Sequence, residues 1–183
     1  MTAHIALLRG INVGGKNQIP MAGLRILFEA LGFPGARSLL NSGNIVFESF
    51  GRTGAQLECL LEAQTAKRLS ARPDYLIRTC DEWKKIIAGN PFRRETEADP
   101  SRLIVMFLKQ APDRRSVRAL RSAIEGPEAV HISGREVFIT YPAGIGRSKL
   151  TLPMLERKLD RRGTCRNWNT VLKLSALVDE RSS

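Results

Sequence analysis

The residues best suited to chemistry gather in a few polar stretches. The first is RGINVGGKN, Arg9 to Asn17, set between an apolar run and a helical pattern. Backbone N–H groups around Gly14 and Gly15, with Asn12 and the cations Arg9 and Lys16, make a donor set for an anion near a helix N-terminus. The spacing fits neither GxxxxGK[ST] nor GxGxxG, and Lys16 is followed by Asn17 instead of Ser or Thr, so a P-loop nucleoside triphosphatase is not expected. A second stretch, GIGRSKLT (Gly144 to Thr151), offers Arg147, Ser148 and Lys149 to phosphate or carboxylate oxygens. Its plain structural reading makes Ser148 or Thr151 a helix N-cap. The third, RNWNT, opens a predicted helix with Arg166, Asn167 and Asn169. An anion at that end and a structural cap by Asn167 are both compatible with it. NSGN supplies Ser42 and Asn44, and its composition is that of a hairpin turn.

Catalytic and metal-binding patterns are sparse. His4 and His131 each sit alone in a predicted strand, and no HExxH or spaced carboxylate set points to a metal. Neither a metal nor a cofactor is expected. Cys165 precedes Arg166, whose charge would lower its pKa, so an enzyme using Lys16, Lys149 or Cys165 on a phosphorylated or carboxylated small molecule is one alternative. Arg114, Arg118 and Arg121 recur at i, i+4 and i+7 beside Arg115, and Arg157, Arg161 and Arg162 form a similar edge. A nucleic-acid contact through that arginine face is the other alternative. The stretch REVFITY lacks the basic-glycine-aromatic string of RNA-recognition modules.

Composition sets the frame for these motifs. The chain has 183 residues, 43% of them hydrophobic, and 29 Lys plus Arg against 18 Asp plus Glu, a net charge of +11. Such a balance favours polyanionic partners through counterion release. The longest apolar run, Leu103 to Leu108, falls far short of the ~20 residues that span a bilayer, so no membrane association is expected. The opening MTAHIALLRG has no basic lead and no signal-peptide core, and the three cysteines lack paired spacing. Reduced thiols in the cytoplasm are the expectation.

Periodicity describes the elements that must carry the motifs. AHIALLR reads as a strand, PMAGLRILFEAL as a helix burying Met21, Leu24, Leu27, Phe28 and Leu31, and SLL and IVFES as a hairpin about NSGN. A helix with Leu57, Leu60, Leu61 and Leu69 follows, then the strand DYLIRT and a short helix from Asp81. From Arg102 the order recurs: RLIVMFLK, a helix burying Val117, Leu120 and Ile124, the hairpin AVHIS and EVFITY across Gly134-Arg135, a helix with Leu152, Leu155 and Leu159, the short strand TCR, and a final helix burying Trp168, Val171, Leu172, Ser175 and Val178.

Two string matches, SGNIVF with SGREVF and TCDEW with TCRNW, align the halves. The fold class expected is therefore α+β, two tandem ferredoxin-like (βαββαβ) units packed together and related by internal duplication. Their bounds are 1–90 and 102–183, with the polar stretch 91–101 as linker. Strands one and three of each unit are taken to run parallel, so RGINVGGKN and GIGRSKLT leave equivalent sheet ends and NSGN lies at the other. In the second half the connection matching RGINVGGKN is only KQAP, and a connection longer than its scaffold needs is more often functional.

RGINVGGKN, NSGN, GRSKLT and TCRNWNTVLKL together resemble the bacterial domain-of-unknown-function family numbered 1697, over Ile5 to about Leu177. The resemblance implies a small bacterial cytosolic protein of two ferredoxin-like halves and implies no reaction. The leading functional expectation is an anionic ligand (a nucleotide, another phosphate compound or a nucleic-acid backbone) held by the glycine-rich and Arg/Ser/Lys loops.

Overall fold

The computed structural model describes residues 1–11, 19–40 and 43–182. It is a mixed α+β chain with two four-stranded antiparallel sheets and, among the described residues, seven α-helices. The chain divides into two compact units, Met1–Lys85 with Lys173–Ser183, and Ile86–Leu172.

In the first unit β1 (Thr2–Arg9), α1 (Met21–Ala30), β2 (Arg37–Leu39), β3 (Asn44–Ser49), α2 (Gly54–Leu69), β4 (Asp74–Thr79) and α3 (Cys80–Ala88) follow in order. The sheet order is β2-β3-β1-β4. Both helices cover one sheet face: Leu24, Leu27 and Phe28 of α1 and Leu57 and Leu61 of α2 meet Ala6, Leu8, Ile45, Phe47, Tyr75 and Ile77. Phe28 sits in an aromatic cluster, edge-on to Phe47 at 5.0 Å between ring centres. Ile5, Leu7, Val46 and Leu76 point to the other face and are also buried, which explains why β1 shows no polar alternation.

The second unit repeats the order with a shorter first connection. The stretch before it carries α4 (Arg93–Ala98) and a 3-10 turn at Pro100–Arg102. Then come β5 (Leu103–Leu108), α5 (Arg114–Arg121), β6 (Ala129–Ser133), β7 (Glu136–Thr140), α6 (Leu152–Leu159), β8 (Gly163–Asn167) and the first residues of α7 (Trp168–Ser182), which from Lys173 onward belongs to the first unit. The sheet order is β6-β7-β5-β8. Leu120, Leu155 and Leu159 pack on Ile104, Met106, Leu108, Val137 and Ile139.

Three sequence expectations change. Strands one and three are antiparallel in both units, Leu7 facing Asn44 and Phe107 facing Glu136. The helical crossover returns β2 in the direction of β1, and the hairpin then reverses the chain into β3. The string matches also do not superpose structurally. Phe47 faces the helix-side core while Phe138 faces away from it toward Trp168, because a one-residue slip moves a strand side chain to the opposite face. Likewise Thr79 ends β4 whereas Thr164 lies within β8. Aligned by strand ends and register, Arg78 opposite Ile5 corresponds to Arg166 opposite Val105. In α7 the buried set is Trp168, Val171, Leu174 and Val178, with Leu172 41% exposed. At about 100° per residue Leu174 falls back onto the face of Val171, and Leu172 swings off it.

The outer edges are closed by carboxylates. On β4 the N–H groups of Tyr75, Ile77 and Thr79 donate to Glu62, Glu58 and Glu82 at 2.9, 2.8 and 2.8 Å. On β8 Gly163 N donates to Glu156 at 2.9 Å. Edge N–H groups that would otherwise pair with another chain are thereby satisfied.

Candidate functional site

Antiparallel pairing decides which polar loops meet. At one end of the first sheet, Arg9 and Gly10 leave β1 beside the turn that opens β3, and Leu8 N donates to Gly43 O at 2.8 Å. Gly43 and Asn44 of NSGN are thus at the same sheet end as Arg9 and Gly10, reversing the expectation. Gly43 has φ +74°, and a Cβ there would lie 2.7 Å from Ile11 Cδ1 and 2.8 Å from Leu8 Cβ. Only glycine fits both the backbone and the space. Asn44 is wholly buried and its Nδ2 donates to Leu39 O at 2.8 Å, so it closes the hairpin. Arg9 stands opposite Asp74 in the ladder, with Nη1 3.4 Å from Oδ2. Asn12, Gly14, Gly15, Lys16 and Ser42 lie outside the described residues.

The second unit holds the cleft. Ala129 pairs with Thr140 across the hairpin, so the residues before β6 and those after β7 must run side by side. Between them is a cavity of about 420 Å³ whose lining includes Ile124, Glu125, Glu128, Arg147, Lys149 and Met154. Its loop is held from within. Tyr141 Oη donates to Leu150 O at 2.9 Å, and Leu150 N donates to Ser148 Oγ at 3.0 Å. The Ser148 hydroxyl donates to Glu128 Oε1. Arg147 N and Ser148 N bond to Gly144 O and Ile145 O at 3.3 and 3.2 Å. These amides are spent on the loop itself, so recognition at the cleft falls to side chains. Neither expected N-cap is formed: Thr151 occupies the cap position of α6 without a side-chain bond, and Ser148 is engaged with Glu128.

The charges at the cleft face each other. Lys149 Nζ is 3.3 Å from Glu125 Oε2, both side chains at least three-quarters exposed, a geometry worth little in water. Arg147 is exposed and has no carboxylate partner among the described residues. Opposite these cations the lining is apolar at Ile124, Leu150 and Met154.

In RNWNT the side chains of Arg166 and Asn167 are engaged within the fold. Arg166 is a β8 residue, 7% exposed, donating to Thr164 Oγ1 at 2.7 Å and to Cys165 O at 2.8 Å. Burial lowers its guanidinium pKa to about 10. Asn167 Oδ1 accepts from Asn169 N at 3.0 Å, and its Nδ2 donates to Ser101 O at 2.9 Å. Asn169 is exposed in the first turn of α7. Cys165 corrects the expectation of an activated thiol. Burial pushes it up to about 12, against a smaller opposing pull from Arg166, because a thiolate loses more by leaving water than the guanidinium returns. The counterpart of Arg166 in the first unit is Arg78, 1% exposed, which belongs to none of the polar stretches. A lone cation in the apolar run DYLIRT is the signal that could have found it.

Arg114, Arg118 and Arg121 stand exposed along α5, away from the cleft lining. Among the described residues no group of three or more His, Cys, Asp or Glu could hold a metal, and no helix is long and apolar enough to cross a membrane.

Residues 1–138 match the family described as "Protein of unknown function (DUF1697)". Among solved structures the chain is similar to the conserved bacterial protein SP0830 from Streptococcus pneumoniae. That likeness has a TM-score of 0.77 at 26% identity and covers 97% of this chain and 98% of that one. No curated protein matches.

Proposed function

This chain belongs to the DUF1697 family of proteins of unknown function, and from that premise we propose that it binds an anionic small molecule in the cleft of the second unit. A nucleotide or another phosphate compound is the ligand class. The observation that carries the proposal is the placing of Arg147 and Lys149 on one cavity of about 420 Å³ with Ile124, Leu150 and Met154. That volume lies in the range of small-ligand sites, which combine an apolar lining with a few placed polar groups. An exposed guanidinium offers a planar fork to phosphate oxygens, and Lys149 adds a point charge once its weak contact with Glu125 is shared or released. The first-unit loop at Arg9 is a second candidate for anions in the same reading, although Asp74 already faces its guanidinium.

The element order and the sheet order 2-3-1-4 in each unit support reading both as ferredoxin-like plaits derived by duplication. Three free cysteines favour a reducing, cytoplasmic setting.

Isothermal titration with nucleotides, sugar phosphates and small carboxylates tests the proposal. At least one phosphorylated compound binds the wild-type protein. Arg147→Ala weakens it by roughly tenfold or more, as expected for a charge-assisted hydrogen bond. No binding across the panel, or equal binding by Arg147→Ala and Lys149→Ala, would refute it.

A further inference from the structure

The helix layer of the second unit carries charge that the cleft does not use. α5 and α6 are neighbours. Along α5, Arg114, Arg118 and Arg121 are exposed, and on α6 Arg157 is exposed. None of these four has a partner among the described residues. The acids nearby are engaged elsewhere. Asp113 caps α5 by accepting from Ser116 N at 2.7 Å. Glu156 accepts from Gly163 N at 2.9 Å. Asp160 lies 3.6 Å from Arg161 Nη1. The result is a two-helix face of guanidinium groups without matching carboxylates.

We infer that this face binds the phosphate backbone of a nucleic-acid duplex without reading its sequence. Three positions on α5 span about 10 Å at ~1.5 Å per residue, a length over which a duplex presents roughly six phosphates. Among the described residues the exposed large hydrophobics are Met1, Ile26, Leu40, Phe50, Ile145 and Leu172, and none lies on α5 or α6. A helix that settles on a lipid surface needs an apolar face to insert, and this pair lacks one. Base stacking on a single strand needs exposed aromatic rings. Of this unit's rings Phe107, Phe138, Tyr141 and Trp168 are buried, and the half-buried Phe92 lies on neither α5 nor α6. What remains is backbone contact with a structured, double-stranded polyanion.

Fluorescence anisotropy of a labelled duplex of about 20 base pairs, measured across salt concentrations, tests the inference. Four guanidinium contacts predict a plot of log K against log salt with a slope near −3.6, at about −0.9 per phosphate. Affinity then falls by roughly 150-fold over a fourfold rise in salt. Arg114→Ala with Arg118→Ala and Arg121→Ala reduces the slope to about −0.9. Removing the same charge from the first unit, with Arg25→Ala, Arg68→Ala and Arg72→Ala, leaves it unchanged. All six positions are exposed, and circular dichroism verifies folding of both triple variants. Four results would overturn the inference: no duplex binding at low salt, an unchanged slope in the α5 variant, an equal loss in the first-unit variant, or tighter binding to phosphatidylserine vesicles than to the duplex.

Discussion

His4 is 1% exposed, with Nε2 3.0 Å from Ser49 Oγ and its ring stacked on Phe47 at 5.4 Å. Its Nδ1 has no hydrogen-bond partner among the described residues, so a proton there would add an uncompensated charge inside the fold. Burial lowers its pKa from 6.5, with a smaller opposing effect from Glu82. Below about pH 6.5 the unfolded chain therefore binds the proton more readily than the folded one. Stability is then full above that pH and falls as pH drops below it. Urea midpoints measured from pH 8 to 5 will show this decline in the wild type and a flatter curve for His4→Phe; parallel curves would remove His4 as the cause. Cys165 supports a second residue-scale expectation. With a pKa of about 12, its thiolate fraction near pH 8 is only about one part in ten thousand. Mass spectrometry after brief iodoacetamide treatment will find exposed Cys59 labelled and Cys165 untouched until the protein is denatured. Prompt labelling of Cys165 would restore the nucleophile that its sequence neighbour Arg166 suggests. The residues of GIGRSKLT were legible because their side chains announce donors, whereas the inert character of Cys165 and Arg166 was not, since burial depends on the strand partners that cover them.

At the scale of elements, what decided accuracy was whether a pattern is set locally. The helices α1, α2, α5 and α6 follow from apolar spacing, and the hairpin β6–β7 from its two-residue turn at Gly134. The final helix is apolar on several sides, so its spacing admits Leu172 inward as well as Leu174, and only packing selects Leu174. Strand direction is a property of topology and not of any one strand, so the pattern of a strand does not tell which sheet end its loop leaves. Glu58 and Glu62 carry no motif and Glu82 belongs to the capping box it forms with Thr79 at the start of α3, yet all three close the β4 edge. Glu58→Ala removes the acceptor of Ile77 N and, for a buried donor left unsatisfied, costs about 1–3 kcal/mol. Chemical denaturation will measure that loss, and light scattering of the variant will rise on standing because the reopened edge offers itself to another strand. A variant as stable and monodisperse as wild type would show that the edge needs no such closure.

For the whole molecule, the repetition of element order was legible in the sequence and so was the excess of positive charge. The cleft was legible only by half. Arg147 and Lys149 stand out as a donor-rich loop, but Glu125 and Glu128 sit in an unremarkable turn and reach the cleft because Ala129 pairs with Thr140. The opening loop at Arg9, which length alone marked as functional, meets Asp74 and Gly43 at one end of its own sheet. Of the two sites the cleft is the better supported, because cations, apolar lining and volume coincide there. Its most direct test is an amide chemical-shift titration of the full chain with a phosphorylated compound selected by calorimetry. The account predicts saturable shifts concentrated at Ile124–Glu128 and Ala143–Leu150, with a midpoint roughly tenfold or more higher in Arg147→Ala; shifts that saturate elsewhere, or an unchanged midpoint in that variant, would contradict it.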